Sequence, residues 1–256
     1  MAPTGETRIQ LCGRFVARLE GRRVQGSLPG ALGELLFAYL VLSRRRRIDR
    51  DELLSALYGE EAAADHHARL SVLLSKVRRV IGPDLLTGRA QIELVLPAHA
   101  FVDVEAALEA LHRAESHVAK GEWAAAWGPS SLAYDVTSRR LLRGHDRPWL
   151  DDWRRRLDEV RLNALECVAA AGLGIGGPEL PQAAKCARQL IELAPFRETG
   201  YRILMEALER GGNAAEALRV YDRLRLMLRE ELGTAPSPAV KDVHRRLLGS
   251  AATTAT

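Results

Sequence analysis

The chain has 256 residues, 47% of them hydrophobic and 27% charged, and this composition excludes global disorder. Its three cysteines, Cys12, Cys167 and Cys186, lie far apart, which excludes a disulfide scaffold or a thiolate zinc ribbon and indicates a reducing, cytoplasmic setting. The longest apolar run, Leu35–Leu42, is far shorter than the roughly 20 residues of a membrane helix, so we expect no membrane partner.

The net charge of +4 is unevenly distributed along the chain. Residues 1–100 carry 15 of the 37 basic and 11 of the 33 acidic side chains, and the rest of the chain carries 22 of each. The whole excess therefore lies in the first 100 residues. A basic part joined to a neutral part is typical of a polyanion-binding module attached to a second domain.

The first 100 residues predict strands, then three helices, then a hairpin. Apolar residues alternate along Arg8–Leu19, which predicts strands, and Glu20-Gly21 predicts the turn that follows. Acidic residues at the start of the second helix and glycine after it are typical of helix ends. The predicted helices are 32–42, 49–59 and 63–81, and the predicted hairpin is 85–96.

Beyond a junction at residues 97–103, only helices are predicted, because glycine and proline fall between the apolar periodic segments. The spacing of Trp123, Trp127, Trp149 and Trp153 favours core and helix-packing roles over a ligand box. The predicted helices are about 103–119, 121–134, 147–172, 179–194, 197–211, 213–231 and 237–248.

The helical part contains an internal repeat. Ala183 and Ala217 are 34 residues apart, as are Leu190 and Leu224, and this period is typical of tetratricopeptide (TPR) repeats. An ordinary helical bundle is the alternative, because Arg229 stands where the second repeat would have its closing proline. The TPR register predicts packing positions at Tyr201, Leu204, Leu208, Ala217, Tyr221 and Leu224.

No catalytic or metal motif emerges from the sequence. Gly172, Gly174 and Gly177 spell G-x-G-x-x-G, but a helix precedes them and Pro178 follows, whereas a dinucleotide site needs a preceding strand. We interpret this segment as a loop between helices and predict no enzyme activity and no cofactor. His66-His67 predicts no metal site, because adjacent side chains on a helix point about 100° apart.

The third predicted helix has two different faces. An apolar stripe of Leu70, Leu74, Val77 and Ile81 predicts burial, and the opposite face is small or basic. Such a face fits a DNA major groove, where small residues allow close approach and arginine or lysine reaches guanine. A solvated basic face is the alternative. The residues predicted to read bases are Arg69, Val72, Ser75, Lys76 and Arg79.

Two further basic clusters surround this helix, namely the run Arg44–Arg47 and the predicted hairpin tip at Arg89. Solvated turns are the alternative for each cluster, but three basic clusters around one three-helix unit favour DNA. We predict phosphate contacts from Arg45, Arg46, Arg47 and Arg78, and wing contacts from Arg89 and Gln91.

Several stretches match a known regulator family. The N-terminal matches are Leu35–Leu40, Arg50–Leu54 with Leu57–Gly59, and Leu74–Gly82, and the C-terminal matches are Pro148–Arg154, Glu216–Tyr221, Glu231–Gly233 and Pro236–Pro238. On these stretches the chain resembles the SARP family (Streptomyces antibiotic regulatory proteins). The implied fold is an α+β N-terminal winged helix of the OmpR type at 1–100, followed by an all-α TPR-like helical bundle. That bundle is the bacterial transcriptional activator domain, at 101–250, with a disordered tail at 251–256.

The resemblance implies a sequence-specific DNA-binding activator that binds direct repeats near promoters, with a second protomer on the DNA. It also implies recruitment of RNA polymerase holoenzyme, with the loop Glu60–Ala64 as a contact, and control of a secondary-metabolite gene cluster for antibiotic biosynthesis. The alternative is a TPR-type protein-interaction adaptor whose winged helix has weakened or lost DNA binding. Glu34, where the family has a basic residue, and Gln91-Ile92, where it has Gly-Tyr, favour this alternative.

Overall fold

A computed structural model describes residues 5–59 and 64–253. The chain divides into two compact units. We call Met1–Ala106 with Val136–Leu157 the winged-helix unit, and Ala107–Asp135 with Asp158–Thr256 the helical unit. The first unit thus includes a segment beyond residue 100, while the predicted boundary between residues 100 and 101 stays a prediction.

A four-stranded sheet opens the winged-helix unit. Its strands are β1 (Arg8–Gln10), β2 (Val16–Leu19), β3 (Arg22–Arg23) and β7 (Phe101–Val102), in the order β3-β2-β1-β7. Neighbours are antiparallel except for β1 and β7, which are parallel. Ile9 and Ala17 face each other across β1 and β2 and are fully buried, as the alternation along Arg8–Leu19 predicts.

Three helices and a second sheet complete the winged-helix core. The helices are α1 (Gly30–Leu42), α2 (Arg50–Tyr58) and α3 (Ala64–Ile81), and the sheet has the order β4 (Ile48–Asp49), β6 (Gln91–Leu94), β5 (Leu86–Thr87). Strands β5 and β6 form the predicted hairpin, which is the wing. Gly88 makes its turn possible, because its φ of +85° is unfavourable for other residues and an added Cβ would lie 1.8 Å from the Gln91 carbonyl oxygen.

The segment Val136–Leu157, which we call the brace, packs against the N-terminal sheet. Leu141 forms an isolated antiparallel bridge with Cys12, and the Leu142 amide donates to the Leu11 carbonyl at 2.9 Å. Next to this bridge the Asp103 carboxylate is only 3% exposed and accepts the backbone amides of Leu11 and Cys12 at 2.8–3.0 Å. Burial raises the pKa of Asp103, although these amides act in the opposite direction.

The brace also caps the end of α2. The Trp149 indole Nε1 donates to the Ala56 carbonyl at 3.1 Å, and Arg147 Nε donates to the Leu57 carbonyl at 3.1 Å. The last carbonyls of a helix have no partner within the helix, so these two side chains satisfy groups that α2 itself leaves open. The Trp149 ring also meets Tyr39 of α1 edge-on, with 5.0 Å between ring centroids.

Seven helices extend from residue 103 to the end of the described chain. They are α4 (Asp103–Ala119), α5 (Trp123–Thr137), α6 (Pro148–Ile175), α7 (Leu180–Leu193), α8 (Glu198–Arg210), α9 (Ala214–Leu232) and α10 (Pro238–Thr253). The predicted repeat positions are all buried in one core cluster of the helical unit, which confirms the TPR-like packing: Ala183, Leu190, Tyr201, Leu204, Leu208, Ala217, Tyr221 and Leu224. Helix α10 continues into the predicted tail 251–256, and residues 254–256 lie outside the described residues.

The interpretation of the G-x-G-x-x-G segment as an inter-helix loop is wrong for its first two glycines, which lie inside α6. A Cβ at Gly174 would stand 2.3 Å from the Trp123 ring, and one at Gly172 would stand 3.2 Å from both Trp127 and Ala183. These glycines therefore allow tryptophans of α5 to pack directly on the α6 backbone. Within residues 5–59 and 64–253, we find no helix long and apolar enough to cross a membrane.

Candidate nucleic-acid interface

Helix α3 has the two faces that its sequence predicts. The apolar stripe Leu70, Leu74, Val77 and Ile81 is at most 3% exposed. On the opposite face Val72 is 55% exposed. Ala68, Ser75 and Arg79 are exposed beside it. The helix therefore presents a small and basic surface outward, and the predicted contacts of that surface with bases stay predictions.

The structure separates the five predicted base-reading residues into two groups. Arg69, Val72 and Lys76 line a groove of about 480 Å³ that Pro29, Leu32 and Tyr58 close on the other side. Arg69 also pairs with Asp65, one turn earlier, at 2.6 Å. Ser75 and Arg79 do not line this groove, although they are exposed on the same helix.

Arg78, predicted as a phosphate contact, is bound to the wing. Its Nε donates to the Leu86 carbonyl at 3.0 Å, and its Nη2 donates to the Gly88 carbonyl. The guanidinium thus joins α3 to the first strand of the hairpin and to the start of its turn. Its five N–H donors suit this role, because one planar group can serve two carbonyls at once.

Arg50 is a second link to the wing, and it is absent from the residues predicted as DNA contacts. Its Nη2 donates to the Ser71 hydroxyl at 2.6 Å, and longer contacts of 3.4 Å reach the carbonyls of His67 and Arg89. The sequence signal was its position three residues after Arg47, the last residue of the Arg44–Arg47 run. That position indicates charge but not the neighbours that tertiary folding supplies.

Acidic partners hold the predicted phosphate-binding loop. Arg47 pairs with Glu93 of the wing at 3.1 Å. Arg45 lies 3.8 Å from Glu105, and its side chain is 77% exposed. Both predicted phosphate contacts thus lie within ion-pair distance of a carboxylate.

Arg46, the third predicted phosphate contact of this loop, belongs to a network with α1 and α2. Arg46 Nη1 donates to Glu52 at 2.7 Å, its Nη2 also reaches this carboxylate, and the Tyr39 hydroxyl donates to the same group. The Arg46 hydrogen bonds lower the pKa of Glu52, while burial raises the pKa of Tyr39 to about 12. Of the three predicted phosphate contacts in this loop, Arg46 therefore makes the largest number of hydrogen bonds to a carboxylate.

The predicted wing contacts lie where the hairpin tip is exposed. Arg89 occupies the turn, and Gln91 begins β6 opposite Asp49 of β4. Both side chains are exposed. The predicted polymerase contact at Glu60–Ala64 cannot be compared in the same way, because residues 60–63 and the Ala64 side chain lie outside the described residues.

Glu34, the acidic departure in α1, faces the brace. His145 Nε2 lies 3.1 Å from the Glu34 carboxylate, and the His145 side chain is only 12% exposed. This contact gives the acidic residue a role inside the winged-helix unit. It therefore weakens the argument that Glu34 stands there to repel phosphate.

The histidines and cysteines of the described chain pack in the fold in other ways than as a metal site. His66 stacks on Tyr58 with 4.3 Å between ring centroids. Burial raises the pKa of the Cys12 thiol, and it raises that of Cys167 to about 12, which keeps both protonated near neutral pH. Across the part of the chain that the structure describes, no group of three or more His, Cys, Asp or Glu residues is arranged to hold a metal ion.

Comparison with known proteins defines the family. Residues 102–248 match the family described as "Bacterial transcriptional activator domain". The "Regulatory protein AfsR" of Streptomyces coelicolor is 31% identical over 246 residues, which covers 96% of this chain and 24% of that protein. The "Transcriptional regulatory protein EmbR" of Mycobacterium tuberculosis is 25% identical over 253 residues, which covers 93% of this chain and 62% of that protein.

A solved structure has the same fold. It is described as "Mycobacterium tuberculosis EmbR in complex with low affinity phosphopeptide", and it matches with a TM-score of 0.81 and 20% identity over 96% of this chain and 65% of that chain. The family match covers more than half of the sequence, so the chain belongs to the bacterial transcriptional activator domain family. The SARP resemblance and the fold class, a winged helix followed by a TPR-like bundle, are confirmed. The chain spans about a quarter of the length of the AfsR relatives that it matches.

Proposed function

We propose that this chain is a sequence-specific DNA-binding transcriptional regulator of the SARP type and acts in the cytoplasm. Helix α3 enters the major groove, and the wing tip contacts the flanking backbone or minor groove. The observation that carries this proposal is the outward face of α3, where Val72, Ser75 and Arg79 are exposed, together with the exposed Arg89 at the wing tip. The relatives AfsR, a regulatory protein, and EmbR, a transcriptional regulatory protein, support a role in transcription regulation.

The geometry ranks the proposed DNA contacts. Arg79, Lys76 and Arg69 supply charge on α3, with Val72 and Ser75 providing close approach and apolar contact to bases. For phosphates, Arg45 and Arg89 are the best candidates because they are exposed. Arg47 and Arg46 would first exchange their carboxylate partners for phosphate, at a modest cost for exposed ion pairs.

The decisive experiment is a salt titration of DNA affinity. An operator is first selected from random duplexes with the purified chain, and its affinity is then measured at several salt concentrations. We expect log K to fall linearly with log salt, by about 0.9 per phosphate contact. Arg79→Ala should lower the affinity by about 1–3 kcal/mol and relax the preference at one base pair, as expected for a base-reading arginine. An affinity that is independent of salt contradicts the proposal.

Activation is the second part of the proposal. The chain binds direct repeats near promoters as two protomers and recruits RNA polymerase holoenzyme, with the segment between α2 and α3 as one contact. Its target is a secondary-metabolite gene cluster. Transcription with purified polymerase on the selected operator tests this directly: addition of the chain should raise the yield of transcript, and an unchanged yield contradicts the activator role.

The adaptor alternative has lost part of its support. One of its two arguments was Glu34, and this carboxylate contacts His145 of the brace. The other argument, Gln91-Ile92 in the wing, is unaffected by this contact. We therefore propose neither an adaptor role without DNA binding nor an enzymatic role. Loss of sequence preference in the operator selection, together with capture of a protein partner, would restore the adaptor alternative.

A further inference from the structure

The wing has little secondary structure to hold it in place. Strand β5 contains two residues, and a two-stranded hairpin is at best marginally stable in water. Strand β4 adds two more paired residues on the other side of β6. The position of the wing tip relative to α3 therefore depends on side-chain contacts.

Arg78 supplies two of these contacts from α3. It donates to the carbonyls of Leu86 and Gly88, which lie on the first strand and in the turn of the hairpin. Both acceptors are neutral backbone groups, so the guanidinium is used for its geometry and not to neutralise a carboxylate. A lysine ammonium in the same place is a single point of charge and cannot reproduce the planar fork.

Arg50 supplies further contacts from the start of α2, besides the ion pair of Arg47 with Glu93 in the wing. One nitrogen reaches Ser71 of α3 at 2.6 Å, and the other reaches the Arg89 carbonyl at the wing tip at 3.4 Å. This guanidinium thus bridges the proposed reading helix and the proposed wing contact. Both acceptors are again neutral.

We propose that Arg50 and Arg78 are positioning residues that fix the distance between α3 and the wing tip, and thereby the spacing of major-groove and flanking contacts on DNA. This inference rests on the proposed function and reassigns Arg78 from phosphate contact to fastening of the wing. It predicts that both arginines contribute to DNA affinity without contributing to counterion release.

The first test measures the wing in the free protein by amide hydrogen exchange. Arg50→Lys and Arg78→Lys keep the charge and remove the fork, and we expect wing amides to exchange about 5- to 10-fold faster, as the loss of one hydrogen bond predicts. Arg79→Lys is the matched control, because it lies next to Arg78 on the exposed face and should leave wing exchange unchanged. Unchanged exchange in both lysine variants of the fastening arginines overturns the proposal.

The second test measures DNA affinity at several salt concentrations. Alanine and lysine variants of Arg50 and Arg78 should both weaken binding several-fold while the dependence on salt stays that of the unaltered chain. Arg45→Ala should instead reduce the salt dependence by about 0.9, which is one phosphate contact. The proposal is wrong if the lysine variants bind DNA as tightly as the unaltered chain and the alanine variants reduce the salt dependence by one phosphate contact. In that case the two arginines bind phosphate.

The third test uses the turn that Arg78 holds. Gly88→Ala opens the turn, because its Cβ would lie 1.8 Å from a backbone oxygen. In the Gly88→Ala background, Arg78→Lys should reduce DNA affinity only slightly further. If the losses of affinity from the two substitutions add fully, Arg78 does not act through the wing and the proposal is contradicted. A chain that binds no DNA at all overturns the proposed function, and hydrogen exchange then still decides whether the two arginines fasten the wing.

Discussion

At the scale of single residues, acidic side chains of the winged-helix unit are engaged inside that unit. Glu52 binds Arg46, Glu93 binds Arg47, and Glu34 contacts His145. A count of charges along the chain cannot reveal this pairing, because the partners lie on different elements. These pairs therefore engage loop arginines with carboxylates, whereas the basic face of α3 comes from the sequence of that helix itself.

The Glu52 network predicts acid sensitivity. Hydrogen bonds from Arg46 lower the pKa of Glu52 below its usual 4.5. A carboxyl whose pKa is lowered on folding stabilises the fold above its unfolded pKa, and this stabilisation is lost as the pH falls through the folded pKa. Glu52→Gln should lower the free energy of unfolding by about 1 kcal/mol at pH 7. It should also make this free energy less dependent on pH below about 5. Urea unfolding between pH 3 and 7 measures both; an unaltered pH dependence contradicts the assignment.

Gly174 predicts a steric effect in the helical unit. Gly174→Ala places a Cβ against the Trp123 ring, and overpacking of this kind costs about 1–3 kcal/mol. Gly128→Ala is the matched control, because within 4 Å its Cβ would meet no described atom outside its own helix turn. Thermal unfolding should show a lower midpoint for the first variant and an equal or higher one for the second. Equal midpoints for both variants contradict direct packing of the Trp123 indole on the α6 backbone at Gly174.

At the scale of elements, the helices were predictable and the shortest strands were not. The spacing of apolar residues placed α4 at Asp103–Ala119 and α3 within one residue of Ala64–Ile81. Strands β4 and β7 have two residues each, which is too short for any periodic pattern. The end of α6 was missed for a different reason: glycine usually ends a helix, but here tryptophans from another helix require it. Likewise, basic residues were visible in the sequence, but their carboxylate and carbonyl partners were not.

The cap on α2 predicts a measurable contribution from one indole. Trp149→Phe keeps a ring beside Tyr39 and removes the hydrogen bond to the Ala56 carbonyl, which should cost about 1 kcal/mol. Trp153→Phe is the control, since the ring of Trp153 packs beneath the Arg156 guanidinium at 5.0 Å and Phe retains that contact. Urea unfolding followed by circular dichroism compares the two variants. If Trp149→Phe lowers the free energy of unfolding by no more than Trp153→Phe does, the capping role of Trp149 is contradicted.

At the scale of the whole molecule, the winged-helix unit is discontinuous in sequence. Residues 107–135 leave it for the helical unit, and the brace returns to it. The brace contributes a bridge to Cys12, a cap on α2 and a histidine at Glu34. The family match, which begins at residue 102, includes this segment.

This arrangement predicts complementation between fragments. A fragment of residues 1–106 lacks the brace and should unfold at lower urea than the same unit in the full chain. A synthetic peptide of residues 136–157 should bind the fragment and raise its unfolding midpoint in proportion to the logarithm of excess peptide. A peptide carrying Trp149→Ala and Arg147→Ala is the control and should have little effect. A fragment that is as stable alone as with the peptide contradicts the need for the brace.

The discontinuity of the winged-helix unit limits where a chimera of two related chains can be joined. A chimera that joins a foreign activator domain after residue 100 would replace the brace along with it, so the new brace would have to fit the old sheet and the old α2. The residues that the brace contacts, Cys12, Ala56 and Glu34, would stay with the first 100 residues in such a chimera. A cut between the halves therefore divides one compact unit between two parents, whereas substitutions within α3 and the wing leave that unit whole.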